Sequence, residues 1–367
     1  MIRILHVIDR LKRVSGIARS ILNYYEHIDT NRIQFDFLVV DSDDDIVKGI
    51  RQKGGDVYTI EKLGLTNGGI VKKEIEDFFS DHKDKYQIIH SSFYHIDFIL
   101  FPIAKKNGVS ICISHSHNTQ FSDYWMRSIR NCLMAKMSLK HATHYVACSS
   151  MAGEFQFGKK RVKSGNVYIL KNAIDAKEYE YNPAVRESVR DQLGLNDKYV
   201  IGNVGRFNKQ KNHQYLINLF YEYAKTDESA VLLLVGEGEL MEQFEREVQD
   251  KNIEDKVLFL GARKDVPHLL QAMDCYVFPS LYEGLGISLV EAQAAGLPCI
   301  ASSTIPEESK VTDNVVYLDF SETTKWVETI KSSKEFRRSD TFEDIAKAGY
   351  EIGSAARMLE DYYESLL

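Results

Sequence analysis

No stretch of the 367 residues is apolar for the roughly 18 positions a membrane-spanning helix needs, which excludes a chain threaded through a bilayer by such helices. The opening Met1-Ile2-Arg3-Ile4-Leu5-His6-Val7-Ile8 is too short and too soon interrupted for a secretory signal, and it reads as a buried first strand. Cysteine is sparse. The five residues (Cys112, Cys132, Cys148, Cys275, Cys299) are odd in number, scattered and without a C-x-x-C pair, so neither a disulfide framework nor a thiolate metal site is indicated. Free buried thiols in a reducing cytoplasm are the expectation. Short repeats and low-complexity tracts are missing. With 44% hydrophobic and 27% charged residues, the disordered and fibrous classes drop out.

Charge runs are limited to Asp41–Asp45. One reading is a D-x-D clamp on a metal-bound nucleotide sugar. The plainer one is a solvated loop after the strand that precedes it. A net charge of -7 hides an asymmetry: up to Asn172 there are about 25 basic and 18 acidic residues, and beyond it about 21 and 35. Residues 99 to 171 sharpen it to about eleven basic against two acidic.

The length suits two domains. Short β-branched runs at Ile4–Ile8, Phe35–Val40, Asp56–Ile60, Ile88–His90, Ser110–Ser114 and His144–Ala147 alternate with helical patterns. The same grammar restarts at Val200–Val204, Ala230–Val235, Val257–Leu260, Cys275–Pro279, Cys299–Ala301 and Val315–Tyr317. Such alternation predicts an α/β protein of two Rossmann-like, doubly wound domains facing across a cleft, with parallel sheets covered on both faces. The expected divisions are 1–172, a linker at 173–197, a second domain at 198–340 and a helical C-terminal segment at 341–367. In that last segment Ala355, Met358, Leu359, Tyr362 and Tyr363 form an apolar face.

Ligands in such folds lie outside the carboxyl ends of strands, so chemistry should follow strands directly. It does. The strand ending at Pro279 runs into Ser280-Leu281-Tyr282-Glu283-Gly284-Leu285-Gly286 and then into a helix carrying Glu291. Glycines let backbone approach a ligand, and the new helix offers free N–H groups to an anion. Ionised carboxylates such as Glu283 and Glu291 accept hydrogen bonds in pairs, which suits sugar hydroxyls and a ribose diol. Taken singly, Glu283 also reads as a carboxylate favoured by a helix N-terminus, and Glu291 as a surface helix residue.

A second strand leads into Gly205-Arg206-Phe207-Asn208-Lys209-Gln210-Lys211-Asn212, where Arg206 and Lys211 suit a diphosphate. A solvated basic turn is the alternative. The turn Gly261-Ala262-Arg263-Lys264-Asp265 is a third element, suited to gripping a base through backbone groups. In the first half, His115 and His117 follow a strand and are expected to support catalysis or the acceptor. The alternative is a pair of strand-end histidines satisfied by backbone carbonyls.

Glu283 and Glu291 in the pattern E-x7-E, with Gly205-Arg206…Lys211, Gly261–Val266, Gly296-Leu297-Pro298 and Leu170-Lys171-Asn172-Ala173-Ile174-Asp175, resemble the retaining glycosyltransferases of family four. The likeness covers essentially the whole chain and implies the GT-B fold. Ile113-Ser114-His115-Ser116-His117-Asn118 and Ser303-Thr304-Ile305-Pro306-Glu307-Glu308 are similar to the branch that builds capsular and exopolysaccharide chains.

The resemblance implies that Arg206 and Lys211 hold the donor diphosphate and Glu291 the ribose. It implies that Glu283, with the backbone of Gly284, Leu285 and Gly286, meets the donor sugar and β-phosphate. Gly16 would approach the diphosphate from the first domain, although Ser15 stands where the family usually has a second glycine. Retention of configuration without a required metal or other cofactor is implied too, as is packing of the C-terminal helix on the first domain.

The expected partners are a nucleotide sugar, most often a uridine diphosphate sugar, and a glycan or lipid-diphosphate-linked acceptor. An anionic membrane surface is a further one, since Met126, Ile129, Leu133 and Met137 form a stripe flanked by Arg130 and Lys136. An ordinary core helix with solvated flanks is the alternative for that stripe. No nucleic-acid motif is present. The location expected is cytoplasmic, with peripheral docking on the inner face of the plasma membrane. Two other functions fit the architecture: a nucleotide-sugar epimerase, and a non-catalytic partner subunit of another glycosyltransferase.

Overall fold

The apolar opening of the sequence is a ten-residue strand, β1 (Ile2–Leu11), whose side chains are buried on both faces of a sheet. The computed structural model of the chain describes residues 1–13, 15–64, 66–117 and 125–367, without the side chains of 125–128. It divides into two units, Met1–Ile174 with Ile352–Leu367, and Asp175–Glu351.

In the first unit β1 is followed by α1 (Gly16–His27), β2 (Ile33–Ser42), α2 (Asp44–Gln52), β3 (Val57–Thr59), α3 (Gly68–Asp81) and β4 (Ile88–Ser91). Then come α4 (Tyr94–Lys106), β5 (Ile111–Ser116), α5 (Trp125–Leu139), β6 (His144–Ala147), α6 (Ser150–Phe157), α7 (Lys159–Lys163) and the two-residue β7 (Tyr168–Ile169). All pairings are parallel, in the order β3-β2-β1-β4-β5-β6-β7, with Ile4 opposite both Phe35 and Ile88.

Continuous β-branched and aromatic runs suit strands buried on both faces. Ile4, Phe35, Ile88 and Ile113 point to one core, and Leu5, Val7, Leu38, Ile89 and Cys112 to the other. Each such side chain contributes about 1.5–3 kcal/mol on burial.

The second unit holds α8 (Ala176–Tyr179), α9 (Pro183–Gln192), β8 (Tyr199–Val204), α10 (His213–Ala224), β9 (Ala230–Val235), α11 (Met241–Asp250) and β10 (Val257–Phe259). It continues through α12 (Val266–Ala272), β11 (Cys275–Phe278), α13 (Ile287–Ala294), β12 (Cys299–Ser302), β13 (Val315–Leu318), α14 (Thr323–Ser332) and α15 (Phe342–Lys347). Its sheet is also parallel, in the order β10-β9-β8-β11-β12-β13.

The stretch expected as a linker is instead built into the second unit from Asp175 onward. Arg190 on α9 is buried and donates to Ala272 O at 2.8 Å and Leu195 O at 2.6 Å, while Arg186 donates to Gln271 O and Met273 O. These arginines satisfy the orphan carbonyls at the C-terminus of α12, so the segment expected as a linker is a packed one.

The C-terminal segment is divided as well: α15 stays with the second unit, and α16 (Ile352–Ser365) packs on α1 in the first. Buried Glu360 of α16 accepts from the Asp29 N–H at 2.6 Å and pairs with Arg32 at 2.7 Å. Ala355, Leu359 and Tyr363 enter the core, and Tyr362 stacks on Tyr168 with ring centroids 4.1 Å apart. Met358, expected on that apolar face, is 59% exposed.

The expected stripe on α5 also points outward. Ile129, Leu133 and Met137 are 54, 58 and 48% exposed, while Ala135 and Ser138 pack inward. Met126 lies outside the described side chains. Asp41 pairs with Lys12 at 2.6 Å and Asp45 with Arg13, so the acidic run is matched by the basic loop after β1. Among the described residues no group of three or more His, Cys, Asp and Glu side chains is placed to hold a metal ion. The five cysteines are free, and all but the half-buried Cys132 are buried.

Candidate active site

In the second sheet the strand order reverses between β8 and β11, so the loops leaving these two strands flank the point where doubly wound folds take their ligands. Those loops carry the two main sequence motifs. The loop after β8 lays its Gln210 carbonyl on the Leu281 N–H at 2.8 Å, and the Gln210 amide donates to Tyr282 O at 2.9 Å and Glu283 Oε2 at 3.2 Å. Lys211 Nζ meets Glu283 Oε1 at 2.6 Å, both side chains being largely buried, and lies 4.9 Å from the centre of the Phe278 ring. Gly205 lies against the Lys211 stem, where an added Cβ would stand 3.2 Å away.

Glu283 is held by the turn that enters α13. Gly286 caps that helix at φ +85°, where an L side chain is strained, and an added Cβ would stand 3.0 Å from the Phe278 ring. Gly284 and Leu285 are buried beside it, and Leu285 O accepts from Ser309 Oγ. The N-terminus of α13 thus opens beside the carboxylate, with its first N–H groups at the turn.

Glu291 is only 1% exposed and accepts from Tyr179 Oη at 3.0 Å. It is neither a surface residue nor part of the Lys211–Glu283 contact. Arg206 is exposed and pairs with Glu239 at 2.9 Å. Arg263 makes a two-bonded pair with Asp265 at 2.8 and 2.6 Å on the loop before α12. The direct contacts therefore join Lys211 to Glu283, and tie Arg206, Glu291 and Arg263 each to a different partner.

Three of these partners were not singled out from sequence: Gln210, Tyr179 and Glu239. A signal for the last existed. Gly236-Glu237-Gly238-Glu239 directly follows the apolar run of β9, and a Cβ on Gly236 would stand 2.0 Å from Gly205 O. Two glycines so placed mark a close approach of one strand-end loop to another. Tyr179 left no such mark, because it reaches Glu291 across 112 positions of chain.

In the first unit, Ser15 caps α1 by accepting from the Ala18 N–H at 3.3 Å, and Gly16 opens that helix with open space at its Cβ position. His115 ends β5 and is buried against His117, their ring centroids 3.8 Å apart. Burial above all, then the neighbouring His117, His90 and His6, holds His115 well below the ordinary imidazole value, and burial takes His117 down to about 4. Both rings are therefore neutral near pH 7.

The family model of glycosyl transferases group 1 matches residues 185–351. Over nearly its full length the chain is similar to EpsF of Bacillus subtilis strain 168, a protein assigned as a glycosyltransferase. The two are 31% identical over 373 residues, taking in 98% of this chain and 96% of EpsF. The chain belongs to the glycosyl transferases of group 1.

This group 1 glycosyltransferase is also 30% identical over 235 residues to the Escherichia coli UDP-Gal:alpha-D-GlcNAc-diphosphoundecaprenol alpha-1,3-galactosyltransferase, covering 60% of this chain and 59% of that enzyme. HepE of Anabaena, solved in complex with UDP-glucose, shares its fold with a TM-score of 0.74 at 18% identity over 99% of this chain and 95% of HepE. No helix among the described residues of this glycosyltransferase is long and apolar enough to cross a membrane.

Proposed function

We propose that the chain transfers a sugar, with retention of anomeric configuration and without a required divalent metal, from a uridine diphosphate sugar to a glycan or lipid-diphosphate-linked acceptor of a surface polysaccharide. The observation that carries this is the Lys211–Glu283 contact at 2.6 Å, on loops that flank the strand-order reversal. It sets a cation and a hydroxyl-binding carboxylate side by side, as a phosphate joined to a sugar requires. The uridine donor and lipid-linked acceptor named for the Escherichia coli relative, and the UDP-glucose bound by HepE, support the same reading.

In this reading Lys211 and Arg206 turn from Glu283 and Glu239 to the departing diphosphate. Cations placed where leaving-group charge develops are the largest protein contribution to such a step. Glu283, its pair relaxed, accepts from the donor-sugar hydroxyls, and Glu291, braced by Tyr179, accepts from the ribose. A covalent sugar on Glu283 is not part of the proposal. The leaving phosphate takes the acceptor proton on the face from which it departs. His115 and His117 belong to the acceptor side.

The acceptor brings in the membrane. Ile129, Leu133 and Met137 lie one helical turn apart and face outward, with Arg130 and Lys136 beside them. An apolar stripe of this kind suits the surface of an anionic bilayer, and supports peripheral docking on the inner face of the plasma membrane. Flotation with anionic and neutral liposomes tests this; equal recovery in both rejects docking.

The main test is incubation of the purified chain with labelled nucleotide sugars, with and without chelator. Transfer or slow hydrolysis with retained configuration, insensitive to chelator, is the expected result. An altered free nucleotide sugar makes the chain an epimerase, and no turnover with any donor makes it a partner subunit.

A further inference from the structure

His6, His90, His115 and Tyr363 come from three strands and the last helix, yet they form one buried chain in the first unit. His90 Nδ1 lies 2.6 Å from Tyr363 Oη, and His90 Nε2 lies 2.9 Å from His115 Nδ1. Tyr363 Oη is also 3.4 Å from His6 Nε2, and His117 Nε2 is 2.9 Å from Ser92 Oγ. His115 Nε2 is buried, with no hydrogen-bond partner among the described residues.

A neutral imidazole carries one proton, so each link in such a chain dictates the next. Two arrangements are self-consistent. In one, Tyr363 donates to His90 Nδ1, His90 Nε2–H donates to His115 Nδ1, and His115 carries its proton on Nε2. In the other, every link is reversed and His115 Nε2 is bare.

The chemistry of the 2.6 Å contact decides between them. A phenol O–H is more acidic than a neutral imidazole N–H, and an imidazole nitrogen is a far better base than a phenol oxygen, so the Tyr363 hydroxyl is the donor. The longer 3.4 Å contact fits His6 Nε2–H approaching the same oxygen. Burial above all holds His6 near 3 and His90 and His115 well below the ordinary value, so no second proton blurs the chain.

We propose that Tyr363 and His90 are positioning residues that hold His115 as its Nε2–H tautomer, so that this ring presents a hydrogen-bond donor at the carboxyl end of β5. The use of that donor, to bind a substrate oxygen, rests on the proposed transferase function. The tautomer itself does not. Through this chain α16 governs the chemistry of a ring on β5 without touching substrate.

The test is long-range proton–nitrogen correlation on the full chain labelled with 15N-histidine, the His115 signals being assigned by their loss in His115→Gln. In the wild type, His90 and His115 are expected to show a protonated Nε2 and a bare Nδ1. In Tyr363→Phe, which keeps the ring, His115 is expected to become a mixture with Nδ1–H populated. His90→Leu gives the same expectation by removing the next link.

A bare Nε2 on His115 in the wild type, or identical His115 shifts in the wild type and these variants, overturns the proposal. Activity is read in parallel: Tyr363→Phe lowers kcat about five- to tenfold, the size of one positioned hydrogen bond, with little change in KM. An unchanged kcat beside a shifted tautomer overturns the assigned use of the donor. A wild-type chain that shows the Nε2–H signature yet transfers no sugar rejects the transferase reading and leaves the relay standing.

Discussion

In the second unit, polar groups at the strand ends are charged and neutralise one another. Lys211 meets Glu283 at 2.6 Å, and Arg206 meets Glu239 at 2.9 Å. In the first unit, the groups at the ends of β4 and β5 are buried imidazoles in a hydrogen-bonded chain, kept neutral by desolvation. Paired charges tolerate a change of partner, which the diphosphate role proposed for Lys211 and Arg206 requires. A neutral chain does not tolerate an added proton, because both nitrogens of His90 are already committed, one as acceptor and one as donor.

The largest expected effect breaks this contrast with acid. His6 is lowered to about 3 by burial, and His90 and His115 are also held well below 6.5, so the folded first unit binds fewer protons than its unfolded chain below that pH. Its stability is full above about pH 6.5 and falls as pH drops, by about 1.4 kcal/mol per pH unit for each ring. Among the described residues of the second unit, only His213, lowered to about 3 by burial and the Lys211 charge, shows a shifted imidazole. Hydrogen exchange, corrected for its intrinsic pH dependence, should show the first unit loosening ahead of the second between pH 7 and 5. Simultaneous loosening would dissolve the contrast.

Next in size is Lys211→Ala. Loss of a cation at the developing leaving-group charge should lower turnover about 100- to 1,000-fold. It also removes the Lys211 partner from largely buried Glu283, at a cost of about 1–3 kcal/mol in stability. Steady-state transfer and denaturant midpoints separate the two. Turnover within a few-fold of wild type would remove Lys211 from the diphosphate.

How far the contrast could be read from sequence follows from the same chemistry. Apolar runs bounded by turns mark buried parallel strands, and His144–Ala147 and Ala230–Val235 lie where the patterning puts them, residue for residue. Glu283 and Lys211 sit in loops beside glycines, so their local setting exposes them to inspection. The histidine chain had no such setting: His6 and His90 read as interior residues of apolar strands, and Tyr363 as one face of a helix. Only the register that sets His6 opposite His90, and His90 opposite Ile113 beside His115, brings them together. The Asp175–Asn196 segment was hidden for a different reason: its arginines bind carbonyls, and carbonyls leave no trace in side-chain patterning.

A smaller effect sharpens the donor half. Tyr179→Phe removes the 3.0 Å hydrogen bond to Glu291 while keeping the ring in place. The loss is about 1 kcal/mol, so affinity for uridine diphosphate should fall roughly fivefold, with little change in turnover at saturation. Calorimetric titration reads the first and saturating kinetics the second. A fall in kcat with unchanged affinity would move Glu291 from the ribose to the reacting sugar.

The smallest effect is expected at Glu239→Gln, and its smallness is informative. Arg206 and Glu239 are both more than half exposed, so their pair adds little to stability and is screened by salt. Releasing Arg206 from that partner should tighten uridine diphosphate binding by about two- to threefold at low salt, and by less at 0.5 M, without altering the denaturant midpoint. Weaker binding in Glu239→Gln would mean that Glu239 orients Arg206 toward the ligand rather than competing for it. The second unit would then use a carboxylate as His90 is used in the first, to aim a neighbour.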